Sequence, residues 1–443
     1  MLKWRARLAA NCPVQYEKLV GQEELYTLSA APAAPKARAS VSRLRLVSLM
    51  LAHFLNDTYS NFLPAFLPLL QGEFALSLTL VSLLASVYTV GGALSQLLFG
   101  YLGDRVKRVD FAAVGPLITG AFMSSLGLLR SYPLVVLALL ISASGTAMFH
   151  PQAASRAGRV AKNHKGLSLS LFIGAGTLGF ALGPLLMALF IAHFSFSQTY
   201  WAILPLLVLG GAVYIWMRKE VTGDGRQSHS SLREIRPHIR PLLLLWATVV
   251  TRHIIILSFS TFTVILLVQK GISYLAGSMA LSGFLLAGIF GGTLAGHLSD
   301  RLGRRLVIVI SLGLAILLSF AAATTSGSLF FVLLLLAGMT LQASNPVILA
   351  QAQEIAPAHA SIASAIVMGT GWGTAGLLLI PVGSLADHWG IATALQVVCM
   401  TAFVVYLGLG YSFYHDERFS EATSVSAKPP RSPAEQASPL DLH

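Results

Sequence analysis

The stretch "HFLND", His53 to Asp57, places an imidazole and a carboxylate four residues apart inside an otherwise apolar segment. On a helix that spacing puts both groups on one face. His53, Asn56, Asp57, Ser60, Asn61 and Pro64 recur at three- and four-residue steps and share it. Comparable groups lie in other apolar segments: Ser142, Thr146 and His150; Arg252 with His253; Gln351 with Glu354. A charged side chain at the centre of a membrane helix costs about 2.5–3.5 kcal/mol on insertion scales, so it faces a partner or a water-filled path rather than lipid. The chemistry these residue types support is proton exchange and the binding of a charged solute. Bond-making enzymes are disfavoured, since no H-E-x-x-H, no G-x-S-x-G and no paired-carboxylate motif sits in a span. A Walker-type phosphate loop is also absent from the sequence, which argues against ATP drive.

The elements that must position these groups follow from composition. Hydrophobic residues make up 55% of the 443 and charged residues 11%, against about 25% charged in soluble proteins. Mean hydropathy is +0.71. A bilayer-spanning helix needs about 20 apolar residues, and twelve segments qualify: 44–70, 79–101, 110–130, 133–155, 166–194, 198–217, 242–268, 275–297, 306–325, 328–354, 361–386 and 391–414. The predicted organisation is an N-terminal extension over 1–43, six spans over 44–217, a polar basic loop over 218–241, six spans over 242–414 and a tail over 415–443. The extension is expected to be disordered and cytoplasmic, with "SAAPAAPKARAS" its loosest part. Its basic start and Cys12 are no lipoprotein signal, because the apolar run between them is too short. Cys12 and Cys399 are far apart and imply neither a disulfide framework nor a Cys-based metal site. No metal site and no cofactor is predicted.

The net charge of +12 need not mean nucleic acid. With both termini cytoplasmic, 27 of the 30 Lys and Arg fall on the cytoplasmic side, as the positive-inside rule requires. Arg130 and Lys270 lie outside, and Arg252 lies within the seventh span. Three features then repeat at nearly one offset. "GYLGDRVKR" from Gly100 and "GHLSDRLGR" from Gly296 are 196 apart, Pro151 and Pro346 are 195 apart, and the glycine runs from Gly174 and Gly369 are 195 apart. Parallel six-helix repeats with a substrate site between them are a common transporter design.

The loop copies carry a resemblance. Gly100, Asp104, Arg105 and Arg108, echoed by Gly296, Asp300, Arg301 and Arg304, resemble the G-x-L-x-D-R-x-G-R-R signature of the major facilitator superfamily, with Lys107 replacing the late glycine of the first copy. With twelve spans and a central loop, the resemblance covers residues 44 to 414. It implies an all-α integral membrane protein with two pseudo-symmetric six-helix halves. The motif is read as a cytoplasmic gate latch, in which Asp104 and Asp300 pair with Arg or cap a facing helix. The alternative is that Lys107, Arg108 and Arg305 only enforce topology.

A narrower resemblance rests on "HFLND" at 53–57, "FHPQAASRA" at 149–157, "AQAQEIAP" at 350–357 and "GSLADHWG" at 383–390. These look like the fosmidomycin-resistance branch, which exports drugs in exchange for protons. The seventh span departs from it: "TRHIII" stands where the branch carries a Lys followed by an aromatic. "GAGTLGFALGP" partly resembles an antiporter signature through Gly179, Gly183 and Pro184. Its G-x-G-x-x-G is no dinucleotide site, because no strand precedes it; close helix packing is the plainer reading.

In superfamily architecture the first, fourth, seventh and tenth spans line the path, which are the spans that hold the polar groups. Asp57 is the leading proton carrier; the alternative is a structural Asp locked to Arg252 or His53. Arg252 would hold an anionic group of the substrate or tune Asp57. His53, Asn56, His253 and Gln351 complete the expected cavity. His150 and Glu354 are placed near the cytoplasmic ends, as gate or interfacial groups, with Glu354 a second proton candidate. Trp372 and Tyr88 either stack on a substrate or simply pack. The expected protein is a monomeric exporter in a bacterial inner membrane, with a small molecule, protons and lipid as partners and no nucleic acid. A metabolite symporter on the same fold remains the alternative, and a membrane-embedded enzyme a remote one.

Overall fold

The computed structural model describes residues 36–106, 109–160, 165–217 and 235–415. The N-terminal extension before residue 36, most of the central loop and the C-terminal tail lie outside the described residues, and so do the expectations for those segments. The described chain is built from α1 (Lys36–Ser60), α2 (Leu63–Phe74), α3 (Leu78–Arg105), α4 (Phe111–Ser124), α5 (Tyr132–Val160), α6 (Lys165–His193) and α7 (Ile203–Met217), then α8 (Ile239–Gln269), α9 (Tyr274–Leu302), α10 (Arg304–Thr324), α11 (Gly327–Ile355), α12 (Gly371–Trp389) and α13 (Ile391–His415). A π-helical stretch, Ala365–Thr370, leads into α12.

Ten helices among the described residues are long and apolar enough to cross a membrane. The first predicted span is instead two rods, α1 and α2, because Pro64 lacks the N–H that would bond the Ser60 carbonyl. Chain direction is held across the break by Asn61 N–H to the Asp57 carbonyl at 3.2 Å and by Ser60 Oγ–H to the same carbonyl at 2.9 Å. The sixth span is α7, whose 15 helical residues end where the described residues end. The fourth runs five residues beyond its expected end at 155, to Val160.

The burial pattern inverts that of a soluble protein. Val208, Phe290 and Val404 stand exposed in mid-helix, as lipid contact requires, while Asn56, Thr119, Ser142, Arg252 and Gln351 are buried. Small residues let the rods approach. Gly115 of α4 and Gly145 of α5 face each other, so a Cβ on either would press within 2.6–2.7 Å of the other's carbonyl. Gly179 and Gly183 of α6 lie against α1 at Phe54, Thr58 and Asn61, and a methyl on Gly179 would overlap the Phe54 carbonyl oxygen. Gly179→Ala is therefore expected to destabilise the protein by about 1–3 kcal/mol through overpacking against backbone that cannot yield. Gly174→Ala, with open space around it, should be neutral or slightly stabilising. Thermal unfolding of the two purified variants checks the contrast.

The repeat is visible in the packing. Helix α3 packs on α12, and α6 packs on α9. Under the 195–196 offset α3 corresponds to α9 and α6 to α12, so these are one contact seen twice. Both seams are tied at the end of the bundle opposite the Gly100 and Gly296 loops. Asp387 of α12 accepts from Leu78 N–H at 2.6 Å, Thr79 N–H at 2.9 Å and Thr79 Oγ–H at 2.5 Å, capping α3 from across the seam. Ser86 Oγ–H donates to the Gly376 carbonyl, and Leu185 N–H to Ser282 Oγ at 3.0 Å. Tyr274 O–H reaches the Ala65 carbonyl at 2.9 Å.

Candidate functional site

Two polar centres lie within the helices, one in each half. The first is built on Asp57. His53 Nε2 stands 3.2 Å from Asp57 Oδ2, and His150 Nε2 stands 3.6 Å from Oδ1. Asn56 Nδ2–H donates to Oδ1 at 2.9 Å. The His53 ring is wedged between Phe172, stacked at 4.2 Å between centroids, and Phe149 at 5.4 Å. Its Nδ1 lies 2.8 Å from the Phe172 carbonyl. A carbonyl only accepts, so Nδ1 carries the hydrogen and Nε2 points its reactive edge at the carboxylate. Gly176 makes room for this ring, which any side chain there would overlap.

The second centre is built on Arg252 of α8, 1% exposed. Its Nη1–H donates to Gln342 Oε1 at 2.7 Å and to the Leu341 carbonyl at 3.2 Å, and its Nη2–H to Asn345 Oδ1 at 2.8 Å. Its hydrogen-bond partners among the described residues are all neutral, and Nε has none there. The neighbouring His253 ring stacks on Trp372 of α12 at 4.7 Å and 6°. Gln351 is fully buried with neither amide atom hydrogen-bonded among the described residues.

Several expectations need correction. Asp57 and Arg252 do not pair: each is held by its own half. The helix 1 face does not simply point into a cavity. His53 is tied to α6 through Phe172, Asn61 Nδ2–H donates to the Phe180 carbonyl of α6 at 2.7 Å, and Asn56 Oδ1 accepts from Thr119 of α4 at 3.4 Å. Glycines in α6 bring carbonyls close enough to satisfy those groups. His150 is no end-of-helix group: α5 continues to Val160, and packing of the helices places His150 beside Asp57. His53, Asp57 and His150, for which no metal site is predicted, offer ligand atoms all within 4.8 Å of one another.

Glu354 does lie at the loop end. Arg304 Nη2 is 3.2 Å from Glu354 Oε1, and Arg304 Nη1 is 2.6 Å from Asp300 Oδ1. In the other half Arg156 forms a fork onto Asp110, at 2.7 and 2.9 Å. Each tie joins the start of a helix after the motif loop to the helix that follows, with the signs exchanged between halves. Arg301 is exposed. Gly100 and Gly296 have open space around them. The side chains of Asp104, Arg105 and Arg108 lie outside the described residues. Tyr88 packs by an O–H contact to Thr146 Oγ1 at 3.1 Å. Sequence reasoning missed Gln342 and Asn345. Their spacing of three on the same span as Gln351 would have found them. It had no signal for Phe172, which acts through its carbonyl and ring, nor for Asp387 as a cap.

A membrane-spanning bundle of two repeated halves, with buried charge in each and two equivalent seams between them, has the architecture of a secondary transporter. The Major Facilitator Superfamily pattern matches residues 49–378 and again 253–438, and the chain belongs to that superfamily. It is 29% identical over 405 residues to the fosmidomycin resistance protein of Escherichia coli (strain K12), covering 88% of this chain and 97% of that one. It is 26% identical to the uncharacterized MFS-type transporter YfnC of Bacillus subtilis (strain 168), covering 85% and 94%. Among solved structures, a bacterial homologue of the human lysosomal transporter Spinster, in an inward-facing and occupied conformation, superposes with a TM-score of 0.68 at 16% identity, over 90% of this chain and all of that one. A peptide transporter in complex with sulfate superposes at 0.69 and 15% identity, over 86% and 95%. These relatives and this fold are those of transporters, not enzymes.

Proposed function

We propose that the chain exports a small anionic molecule, of the drug type, in exchange for protons by alternating access. The observation that carries this is Asp57 between two imidazoles in the middle of the helical bundle: a carboxylate with basic nitrogens at 3.2 and 3.6 Å is a site for one exchangeable proton. Arg252, buried among neutral amides, supplies the opposite need, a cation whose charge a substrate anion would neutralise once alternating access uncovers it. The 29% identical fosmidomycin resistance relative supports export of a drug. Both centres lie in one chain, so a monomer is the working unit, set in the inner membrane of a bacterium with both termini cytoplasmic. One proton entering across about 100 mV yields about 2.3 kcal/mol, which sustains about a 50-fold solute gradient.

Adding candidate anions, fosmidomycin first, to energised inverted vesicles tests the reading. Substrate-dependent collapse of the stored pH gradient is expected. Protons moving in the same direction as the solute would replace exchange by symport.

With the basic loops inside, the hydrogen bonds across the α3–α12 and α6–α9 seams close the outer end, which reads as an inward-facing arrangement with the Arg156–Asp110 and Arg304–Glu354 ties at the inner gate. Asp387 then acts as an outer clasp. Losing an exposed cap costs about 0.5–1 kcal/mol, so Asp387→Ala should raise the outward-open population about two- to fivefold. Distances between spin labels across the outer ends of α3 and α12 measure this, and an unchanged distribution would show the cap to be incidental.

A further inference from the structure

We propose that His53, Asp57 and His150 form a binding site for one divalent transition-metal ion of the zinc type, with His53 Nε2, an Asp57 oxygen and His150 Nε2 as ligands. The binding goes beyond the export reading and does not depend on it; only its consequence for transport does.

Donor set and geometry both point to this ion class. Two imidazoles with one carboxylate suit zinc and its neighbours rather than magnesium or calcium, which favour oxygen. Ligands about 2.0–2.1 Å from a tetrahedral ion stand about 3.3 Å apart. Asp57 Oδ2 sits 3.2 Å from His53 Nε2, and the other oxygen, Oδ1, sits 3.6 Å from His150 Nε2. The third separation falls within the 4.8 Å that encloses all three atoms. The His150 side chain, 32% exposed, has room to adjust toward a shared ion.

The supporting shell is that of a metal ligand. A coordinating histidine usually gives its other N–H to a carbonyl or carboxylate, which fixes the tautomer. His53 does so through Nδ1–H to the Phe172 carbonyl at 2.8 Å. That leaves Nε2 facing an Asp57 oxygen at 3.2 Å, a position that a proton or a metal cation can fill. Phe149 and Phe172 hold the ring on either side, and Asn56 Nδ2–H steadies Asp57 Oδ1. With three protein ligands the ion would keep an open position for water, the pattern of an exchangeable rather than a purely structural site. A zinc ion held there occupies the group that proton exchange needs, so zinc should block transport.

The test uses the full chain, purified without a polyhistidine tag and reconstituted in nanodiscs. Titration calorimetry with zinc should show one ion per chain, and cobalt(II) in its place should give the intense visible bands of a low-coordinate site. Asp57→Asn and His150→Gln should each weaken binding by about 10- to 100-fold or more. His388→Ala, an exposed histidine away from the trio, should bind like the wild type. Matching elution profiles and circular dichroism of the variants confirm that they fold. No zinc binding, or binding undiminished in both trio variants, overturns the proposal. Zinc binding in a protein that shows no proton-driven export would leave the metal site standing and remove the export reading, while export without zinc binding would do the reverse.

Discussion

Asp57→Asn abolishes uphill, proton-driven export while the protein still folds and inserts. The amide matches the carboxylate in size and can still accept from Asn56 Nδ2, which donates to Asp57 Oδ1 at 2.9 Å. What is lost is the charge that the two imidazoles face at 3.2 and 3.6 Å. Membrane insertion should not suffer, because removing an ionised group from a span removes a cost of about 2.5–3.5 kcal/mol. Without an exchangeable proton the whole coupling free energy disappears, and with it the roughly 50-fold gradient it supports. Substrate loading of inverted vesicles under an imposed pH gradient should fall to the level of unenergised vesicles. Exchange of labelled for unlabelled substrate, which needs no proton gradient, should persist and so report that the binding site is intact. An Asp57→Asn variant that still concentrates substrate as the wild type does ends the proton assignment.

Arg252→Met, in the opposite half, is expected to weaken substrate binding more than it weakens the fold. The guanidinium is buried among Gln342, Asn345 and the Leu341 carbonyl. Met cannot donate, so the Gln342, Asn345 and Leu341 oxygens lose their donors, and a buried acceptor left unsatisfied costs about 1–3 kcal/mol, offset in part by the desolvation cost that the charge no longer carries. Melting temperature should therefore fall modestly. Substrate affinity should fall, since a hydrogen bond to a charged group contributes about 1.5–3 kcal/mol, equivalent to about a 10- to 150-fold change in Kd. Arg252→Lys should rescue little, because a single ammonium cannot hold the Gln342 and Asn345 oxygens as a fork and still meet an anion. Direct binding of substrate to the purified variants reads the result. Undiminished affinity in Arg252→Met would place the anion elsewhere. A collapse in stability without loss of affinity would make Arg252 a strut between α8 and α11.

The two centres differ in how far one strand of sequence reaches. Hydropathy, the positive charges on alternate loops and the 195–196 repeat are local or periodic properties, and they were sufficient for the membrane class, the two-half architecture and the spans that carry polar groups. The same signals named His53, Asp57 and Arg252 as residues that cannot face lipid. They did not say what those residues face instead. Helical periodicity gives the angle of a side chain about its own axis but not which neighbour lies there. In this chain the neighbour is decided by Gly176, Gly179 and Gly183, which draw α6 against α1 and bring the Phe172 and Phe180 carbonyls within reach of His53 and Asn61. It is decided again by the packing of α5, which brings His150 to 3.6 Å from Asp57. Sequence alone therefore determined that buried charge exists and in which spans. Only the tertiary structure decided that Asp57 belongs with two histidines of its own half and Arg252 with the amides of the other, because hydrogen-bond partners are set by the close approach of separate helices.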